Sequence, residues 1–285
     1  MTLTRRTLLA AATAIALIPA AAGQAATTQL RIVDDRIHMP VVVNGVTTEA
    51  LLDSAAEMTV LDLGFARRLK LGGGRSVTAR GTGSATTLAT LVGGVRMRAA
   101  GLDLRPRNVA VIDLGDIARR LEGRIDVILG RDLFDAARLS IDLKAATLNT
   151  VARSLPPPGV RLPLVSRRGI ETIPVTIEGH AAVADFDLGN GGRTLVGAGF
   201  AATHRLLADG RPTTPINGGG IGGEVRQTML PLRTLDLAGK RFIDQPAVID
   251  SNPDASDANI GVVLLRQFGI VTDFAQGYIW LDPRP

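Results

Sequence analysis

The chain has 285 residues, a formal net charge of +5 and no cysteine. Without cysteine, the protein has no thiol nucleophile, no thiolate metal site and no disulfide, so packing alone must hold the fold. The basic residues are scattered and only 3% of residues are aromatic, which argues against a nucleic-acid-binding protein, because such proteins need basic patches and stacking rings. We expect one or two globular domains with cores of Val, Leu, Ile and Ala.

Residues 1–26 resemble a cleaved export signal. Arg5 and Arg6 lie in a short polar start, an apolar run covers 8–18, and small residues follow. The surrounding sequence resembles a twin-arginine signal, which directs folded proteins across the bacterial inner membrane. The apolar run would barely span a bilayer. We therefore expect a periplasmic or secreted protein without a stable membrane anchor. The candidate cleavage points follow Ala22, Ala25 and Ala26.

Short runs rich in Val, Ile and Leu, separated by Gly, Asn and Pro, predict an all-β fold with few short helices. The clearest predicted strands are 30–33, 40–43, 50–52, 139–143, 172–177, 271–274 and 278–281. The predicted helices are 63–69, 116–121 and 198–207. Three consecutive prolines within 155–159 fix φ and remove N–H donors, so this segment is predicted to be a linker. The predicted domains are 28–154 and 160–285.

Two segments 134 residues apart share one pattern. Met-Pro-Val-Val-Val-Asn-Gly at 39–45, followed by Asp53, recurs as Ile-Pro-Val-Thr-Ile-Glu-Gly at 173–179, followed by Asp187. Asp185 is an alternative to Asp187, but the register of the repeat favours Asp187. The repeat predicts that two similar halves bring Asp53 and Asp187 to one shared site.

A pair of carboxyl groups can hydrolyse an amide without a metal or a thiol. Two carboxyls a few ångströms apart cannot both ionise, so they share one proton. The ionised member can activate a water molecule while the protonated member polarises a carbonyl. Small residues after each Asp would let the two groups approach closely.

These segments resemble retropepsin-like and pepsin-like aspartic proteases. The mark of these families is an apolar strand ending in Asp-Thr/Ser-Gly-Ala, followed later by two apolar residues and Gly. The first mark corresponds here to 51–56 and 186–190, and the second to 128–130 and 259–261. The resemblance extends from about residue 30 to the C-terminus. It implies a bilobal, barrel-like all-β fold with a pseudo-twofold internal repeat, acting as a monomer.

The resemblance also implies roles for individual residues. Asp53 and Asp187 would form the catalytic dyad. The residues supporting the dyad would be Ser54, Ala55, Gly189, Gly130 and Gly261. Glycine-rich flaps over the substrate would be formed by Gly81, Thr82 and Gly83, and by Gly220, Ile221 and Gly222. The partner would be a polypeptide or peptide held in an extended conformation, with neither a cofactor nor a metal.

Two residues depart from the pattern of the family. Ala55 replaces a Gly, and Leu188 replaces a Thr or Ser that would donate a hydroxyl hydrogen bond between the two loops. Small displacements of catalytic groups are costly in rate. Two hypotheses follow: an aspartic-type endopeptidase, or a peptide-binding protein of the same fold that has lost turnover. A third is a structural or inhibitory partner in the cell envelope.

Overall fold

The computed structural model describes residues 27–81, 83, 85–154 and 156–285. The predicted export signal at 1–26, the predicted flap residue Thr82 and the first residue of the predicted linker, Leu155, lie outside the described residues. Within these described ranges, no helix combines the length and the apolar character needed to cross a membrane.

Short strands make up most of the fold, which confirms the all-β prediction. The strands up to residue 150 are β1 (Thr28–Gln29), β2 (Arg31–Val33), β3 (Arg36–Val43), β4 (Val46–Leu52), β5 (Val60–Asp62), β6 (Arg75–Arg80), β7 (Thr86–Val92), β8 (Met97–Ala99), β9 (Leu102–Leu104), β10 (Val109–Ile112), β11 (Val127–Leu129), β12 (Leu139–Asp142) and β13 (Thr147–Thr150). The later strands are β14 (Val160–Pro163), β15 (Val165–Arg167), β16 (Ile170–Ile177), β17 (His180–Phe186), β18 (Thr194–Gly197), β19 (Thr214–Gly220), β20 (Gly223–Leu237), β21 (Lys240–Asp250), β22 (Ala258–Ile260), β23 (Phe268–Asp273) and β24 (Tyr278–Pro283). The helices are α1 (Leu63–Arg68), α2 (Gly115–Arg120), α3 (Arg131–Ala136), α4 (Ala198–Thr203) and α5 (Val262–Leu265), with a 3₁₀ turn at Phe274–Gln276.

Several predicted elements extend beyond the observed ones. Leu30 lies between β1 and β2, the strand predicted at 139–143 ends at Asp142, and the helices predicted at 63–69 and 116–121 end at Arg68 and Arg120. Two further ends have a clear structural reason. The helix predicted at 198–207 ends at Thr203, because Arg205 adopts a left-handed φ of 54° and the Leu206 N–H turns back to the carbonyl oxygen of Ala201. This is the hydrogen-bond pattern of a Schellman C-cap, which stops a helix even without glycine. The strand predicted at 271–274 ends one residue early, because Phe274 begins the 3₁₀ turn.

The described strands form three sheets. The first sheet has the order β6-β7-β10-β5-β11-β4-β3-β8-β9, with β2 added beside β3. The second has the order β15-β16-β17-β22-β18-β21-β20-β19, and β16 also pairs with β20. The third, which we call the shared sheet, has the order β1-β13-β12-β23-β24-β14 and takes strands from both halves of the chain.

Parallel pairing in the first two sheets positions the residues that follow β4 and β17. In the first sheet β4 runs parallel to β11, with Leu52 opposite Leu129. In the second sheet β17 runs parallel to β22, with Phe186 opposite Ile260. Asp53 and Asp187 are the next residues after β4 and β17, so each begins a loop at the end of a strand that is hydrogen-bonded on both sides.

An aromatic cluster joins the two halves close to this point. The ring of Phe134, in α3, stacks on that of Phe274 with centroids 4.9 Å apart, and Phe186 meets Phe274 edge-on at 6.4 Å. All three rings are buried. The protein has few aromatic residues. One of these three, Phe186, directly precedes Asp187, so the cluster stabilises the strand end that carries this acid.

Candidate active site

Both predicted site carboxyls follow fully buried strand ends. The side chains of Leu52 and Phe186 have no exposed surface. The Asp53 N–H donates to the carbonyl oxygen of Leu129 at 3.0 Å, and the Asp187 N–H donates to that of Ile260 at 3.1 Å. The backbone of each Asp is therefore anchored to the neighbouring parallel strand.

Gly189 contacts both carboxyl groups. Its N–H donates to Oδ1 of Asp187 at 2.8 Å. On its other side, a Cβ added at Gly189 would come within 2.5 Å of Oδ2 of Asp53, which is closer than van der Waals contact permits. Gly189 therefore contacts both acids at once, and the structure brings Asp53, Asp187 and Gly189 together.

Ser54 fastens the two loops to each other. Its buried hydroxyl donates to the carbonyl oxygen of Phe186 at 2.7 Å and accepts the N–H of Leu188 at 2.8 Å. Leu188 is completely buried in the core, and its side chain has no hydroxyl that could donate a second hydrogen bond back to the Asp53 loop. The connection between the loops is therefore made from the Asp53 side. Ala55, the other departure from the family pattern, has a φ outside the left-handed region, so its methyl group causes no backbone strain there.

Ser54→Ala should destabilise the protein by about 1–3 kcal/mol, because it leaves a carbonyl and an N–H without their buried partner. Urea unfolding measures the loss. Ser54→Thr keeps the hydroxyl and should recover part of the stability, while Ser76→Ala, at an exposed position on β6, should change little. Equal stability of Ser54→Ala and the wild type would contradict the role of this hydroxyl.

Gly130 and Gly261 allow close packing behind the two acidic loops. A Cβ at Gly130 would come within 2.7 Å of the carbonyl oxygen of Ala56, and one at Gly261 would overlap that of Asn190. The same two carbonyls accept hydrogen bonds from the N–H groups of Arg131, at 3.0 Å, and Val262, at 2.8 Å. Each predicted support glycine thus lies directly behind the loop that follows one Asp.

The two carboxyls shift each other's ionisation. Burial and, after it, the negative charge of Asp187 raise the pKa of Asp53 to about 7. Burial also raises the pKa of Asp187, although hydrogen bonds from Asn259, Gly189 and Asn190 act in the opposite direction. Because like charges in a dehydrated site cannot both persist, the pair is arranged to hold one proton between its members.

Asp185, the alternative to Asp187, has a different environment. Its Oδ1 accepts a hydrogen bond from the hydroxyl of Ser256 at 2.6 Å. Burial, together with the charges of Asp187 and Asp250, raises the pKa of Asp185 to about 6, against the effect of that hydroxyl. Gly189 contacts Asp53 and Asp187, so the paired arrangement is formed by Asp187 rather than Asp185.

Arg36 is a charged residue near the pair that the sequence did not reveal. Its guanidinium lies against Gly191, and its buried Nη1 finds no hydrogen-bond partner among the described residues. Burial lowers the pKa of Arg36, whereas the charges of Asp187 and Asp53 raise it. The positive charge therefore favours an ionised carboxyl in the pair. No motif marks this residue, which is the first of the otherwise mostly apolar strand β3.

The predicted flaps are the tips of two hairpins that meet. The hairpins are β6–β7 and β19–β20. The Gly83 N–H donates to the carbonyl oxygen of Ile221 at 2.9 Å, and the Ala85 N–H donates to that of Gly222 at 2.9 Å. Gly81 also contacts Ile221. The structure thus brings together the described flap residues of both halves.

The second hairpin tip is attached to the first half of the chain in two ways. Ile221 packs against a buried apolar cluster that includes Leu51 and Ile128. Arg120, at the end of α2, donates to the carbonyl oxygens of Gly220 at 2.6 Å and Gly223 at 3.2 Å. Leu51 lies two residues before Asp53, so the second hairpin tip packs against a side chain close to the loop that begins at Asp53. Sequence reasoning missed Arg120, because nothing in α2 indicates a distant carbonyl partner.

At the middle of this arrangement lie the paired carboxyls of Asp53 and Asp187. Across the described ranges, no cluster of three or more His, Asp or Glu side chains is arranged to hold a metal. The paired carboxyls, the hydroxyl of Ser54 and the backbone donors around them form a polar centre beneath two hairpin tips. Such a centre can take and return a proton within one pair of groups.

Comparison with known proteins agrees with this geometry. Residues 39–133 match the family model described as aspartyl protease. The matched segment includes Asp53, its support residues Ser54, Ala55 and Gly130, and the β6–β7 hairpin. A search of curated proteins gives no match. The segment that carries Asp53 is thus similar to aspartyl proteases.

Proposed function

We propose that this protein is an aspartic-type endopeptidase that hydrolyses peptide bonds with a water activated between Asp53 and Asp187. The observation that carries the proposal is the position of Gly189, which donates to one carboxyl and contacts the other. The family match over 39–133 supports an aspartic peptidase activity in general terms. One chain supplies both acids, from lobes at 28–154 and 160–285, so a monomer is sufficient.

The chemistry requires one proton on the pair. The ionised carboxyl removes a proton from water as the oxygen attacks the peptide carbonyl, and the protonated carboxyl donates to the carbonyl oxygen. The amine then leaves with the proton that was taken from water, while the other carboxyl recovers its proton from a hydroxyl of the tetrahedral intermediate as the new carboxylic acid forms, so the pair returns to its starting state. The raised pKa of Asp53, about 7, places the upper limit of activity near neutral pH.

The substrate is an extended polypeptide held beneath the hairpins. Extended peptides bind such proteins by strand-like pairing with exposed backbone groups. The tips joined by Gly83 and Ile221 must separate to admit a chain and can close again over it. Arg120, which holds the carbonyls flanking the second tip, limits this opening.

We also propose export to the periplasm, on the strength of the twin-arginine pattern in residues 1–26. Cells expressing the full chain should release a shortened protein with the periplasmic fraction. Arg5→Lys together with Arg6→Lys should leave the full-length form in the cytoplasm. Unchanged export of that variant would contradict the twin-arginine route.

The activity is tested with purified residues 27–285 on denatured protein and a peptide library between pH 4 and pH 8. We expect internal cleavage that falls away above about pH 7. A statine-type transition-state mimic should inhibit it, whereas chelators should not. Tight peptide binding without cleavage would select the degenerate peptide-binding protein instead. Cleavage that persists with the mimic would indicate another hydrolytic centre.

A further inference from the structure

The two carboxyls have unequal hydrogen-bond donors. Asp187 accepts backbone N–H groups of Gly189 at 2.8 Å and Asn190 at 3.0 Å on Oδ1, and the side-chain amide of Asn259 at 2.7 Å on Oδ2. Asp53 accepts backbone donors, from Ala55 at 2.9 Å and from Ala56. Asp187 therefore has both oxygens engaged by donors, one of them from a side chain, and donors favour the ionised form of a carboxyl.

The amide of Asn259 is held in one orientation. Its Oδ1 accepts a hydrogen bond from Nδ2 of Asn190 at 2.8 Å. The same Nδ2 reaches the carbonyl oxygen of Arg193 at 3.2 Å, while Oδ1 of Asn190 accepts the N–H of Gly192 at 2.8 Å. If the Asn259 amide rotated by half a turn, its oxygen would face the Asp187 carboxylate and its NH₂ group would face another NH₂ group. Asn190 therefore directs the donor of Asn259 at Asp187.

Backbone pairing makes the position of Asn259 rigid. Asn259 is the middle residue of β22, paired with Asp185 of β17 on one side and with Leu195 of β18 on the other. Its side chain is buried. An amide fixed at both ends in this way keeps its direction during the reaction, which is a requirement for electrostatic preorganisation.

The first half of the chain has no such donor at the matching position. There the residue before Leu129, the backbone partner of Asp53, is Ile128, which is buried in an apolar cluster. In the second half the residue before Ile260, the backbone partner of Asp187, is Asn259. The difference between Ile128 and Asn259 makes the two similar carboxyl environments chemically unequal.

We propose that Asn259 is a positioning residue that keeps Asp187 as the ionised, water-activating carboxyl and leaves the shared proton on Asp53. The inference rests on the proposed function for its role in turnover, but the unequal ionisation can be measured without turnover. Hydrolysis then begins with Asp187 taking a proton from water while Asp53 gives its proton to the peptide carbonyl oxygen.

Other charges also act on this centre. Arg36, from β3, favours the ionised form of both carboxyls, and its attraction to Asp187 is the larger of the two. Asp185, on β17, is close enough to Asp187 for their charges to oppose each other. The charge of Asp187 raises the pKa of Asp53. Of the two acids, the amide of Asn259 donates to Asp187, so it favours the ionised form of Asp187 relative to that of Asp53.

The test is a carboxyl ¹³C NMR titration of Asp-labelled protein in an Asp53→Asn background, where Asp187 is the remaining carboxyl of the pair. The Asp187 signal is assigned by its loss in Asp187→Asn. Asn259→Leu copies the apolar residue of the first half and should move the Asp187 midpoint upward by about one pH unit. Asn149→Leu, the same change on β13 of the shared sheet, should leave it in place.

In the chain with both acids, Asn259→Leu should lower kcat about tenfold, move the acidic limb of the pH profile upward by a similar interval and change KM little. An unshifted Asp187 titration would overturn the proposal, even if activity fell, because it would show only a structural role. If Asn259→Leu does not fold, Asn190→Ala replaces it, because it removes the group that orients the Asn259 amide. The Asp187 midpoint must then rise, though by less than with Asn259→Leu. An unchanged midpoint would again overturn the proposal. If the wild type cleaves no peptide but Asn259→Leu shifts the Asp187 titration as predicted, the proposed peptidase activity is refuted and the effect of Asn259 on ionisation stands.

Discussion

Replacing either Asp53 or Asp187 with Asn is expected to lower kcat/KM for peptide cleavage by about 10²- to 10⁴-fold or more. Asn has almost the shape of Asp, but it can neither accept the proton of the attacking water nor supply one to the substrate. Each single change should remove most of the activity, and the double change should cost little more, because the carboxyls act as one unit. Initial rates on a peptide that the wild type cleaves measure the loss.

The control for these variants is Asp103→Asn. Asp103 is an exposed residue of β9 and pairs with Arg98 at 3.6 Å, away from the carboxyl pair. Its replacement should leave the rate unchanged. Activity retained in either Asp53→Asn or Asp187→Asn would refute the two-carboxyl mechanism, since that mechanism requires a carboxyl at both positions.

The same variants should change how stability depends on pH. The pKa of Asp53 rises from its ordinary value of 3.8 to about 7 on folding. Between these values the folded state binds more protons than the unfolded state, so the contribution of Asp53 to the free energy of unfolding falls as pH rises. Asp53→Asn should remove this part of the decline, and urea midpoints at pH 4, 6 and 8 would show it. An equally steep decline in the variant would show that Asp53 is not responsible.

Much of the fold could be predicted from local patterns. Apolar runs indicated β16 and parts of β3 and β4, and the family resemblance, through its glycine-rich flap, indicated the hairpin whose tip contains Ile221. These features depend on residues that are close in sequence and follow general preferences of strands and turns. The helix predicted to reach 207 ends at Thr203 because a left-handed Arg205 stops it, although arginine rarely adopts that conformation.

The surroundings of the carboxyls could not be predicted in the same way. Asn259 was noted as part of a motif, yet its amide bonds Asp187 across 72 residues of sequence. Arg120 reaches Gly220 across 100 residues, and Arg36 acts on both acids from the start of an apolar strand. Contacts of this kind depend on the complete three-dimensional arrangement, for which one sequence contains no local signal.

Gly189→Ala is expected to reduce kcat about a hundredfold, because displacing a catalytic group by a fraction of an ångström is costly. The new methyl carbon would lie within 2.5 Å of Oδ2 and 2.7 Å of Oδ1 of Asp53, so the carboxyl or the loop must move. Overpacking of this kind should also cost about 1–3 kcal/mol of stability. The φ of Gly189 is outside the left-handed region, so the effect would arise from the contact and not from backbone strain.

A second background makes the Gly189→Ala prediction specific. The methyl group collides with the carboxyl of Asp53, so shortening that side chain in Asp53→Ala should relieve the collision. The stability cost of Gly189→Ala, measured by urea unfolding, should therefore be smaller in Asp53→Ala than in the wild type, as a double-mutant cycle would show. Gly199→Ala, in α4, where an added Cβ meets nothing within 4 Å, should be neutral or slightly stabilising in both backgrounds. If Gly189→Ala costs the same with and without the Asp53 carboxyl, Gly189 does not contact the carboxyl of Asp53. The close approach of Asp53 to Asp187, on which water activation depends, would then be refuted.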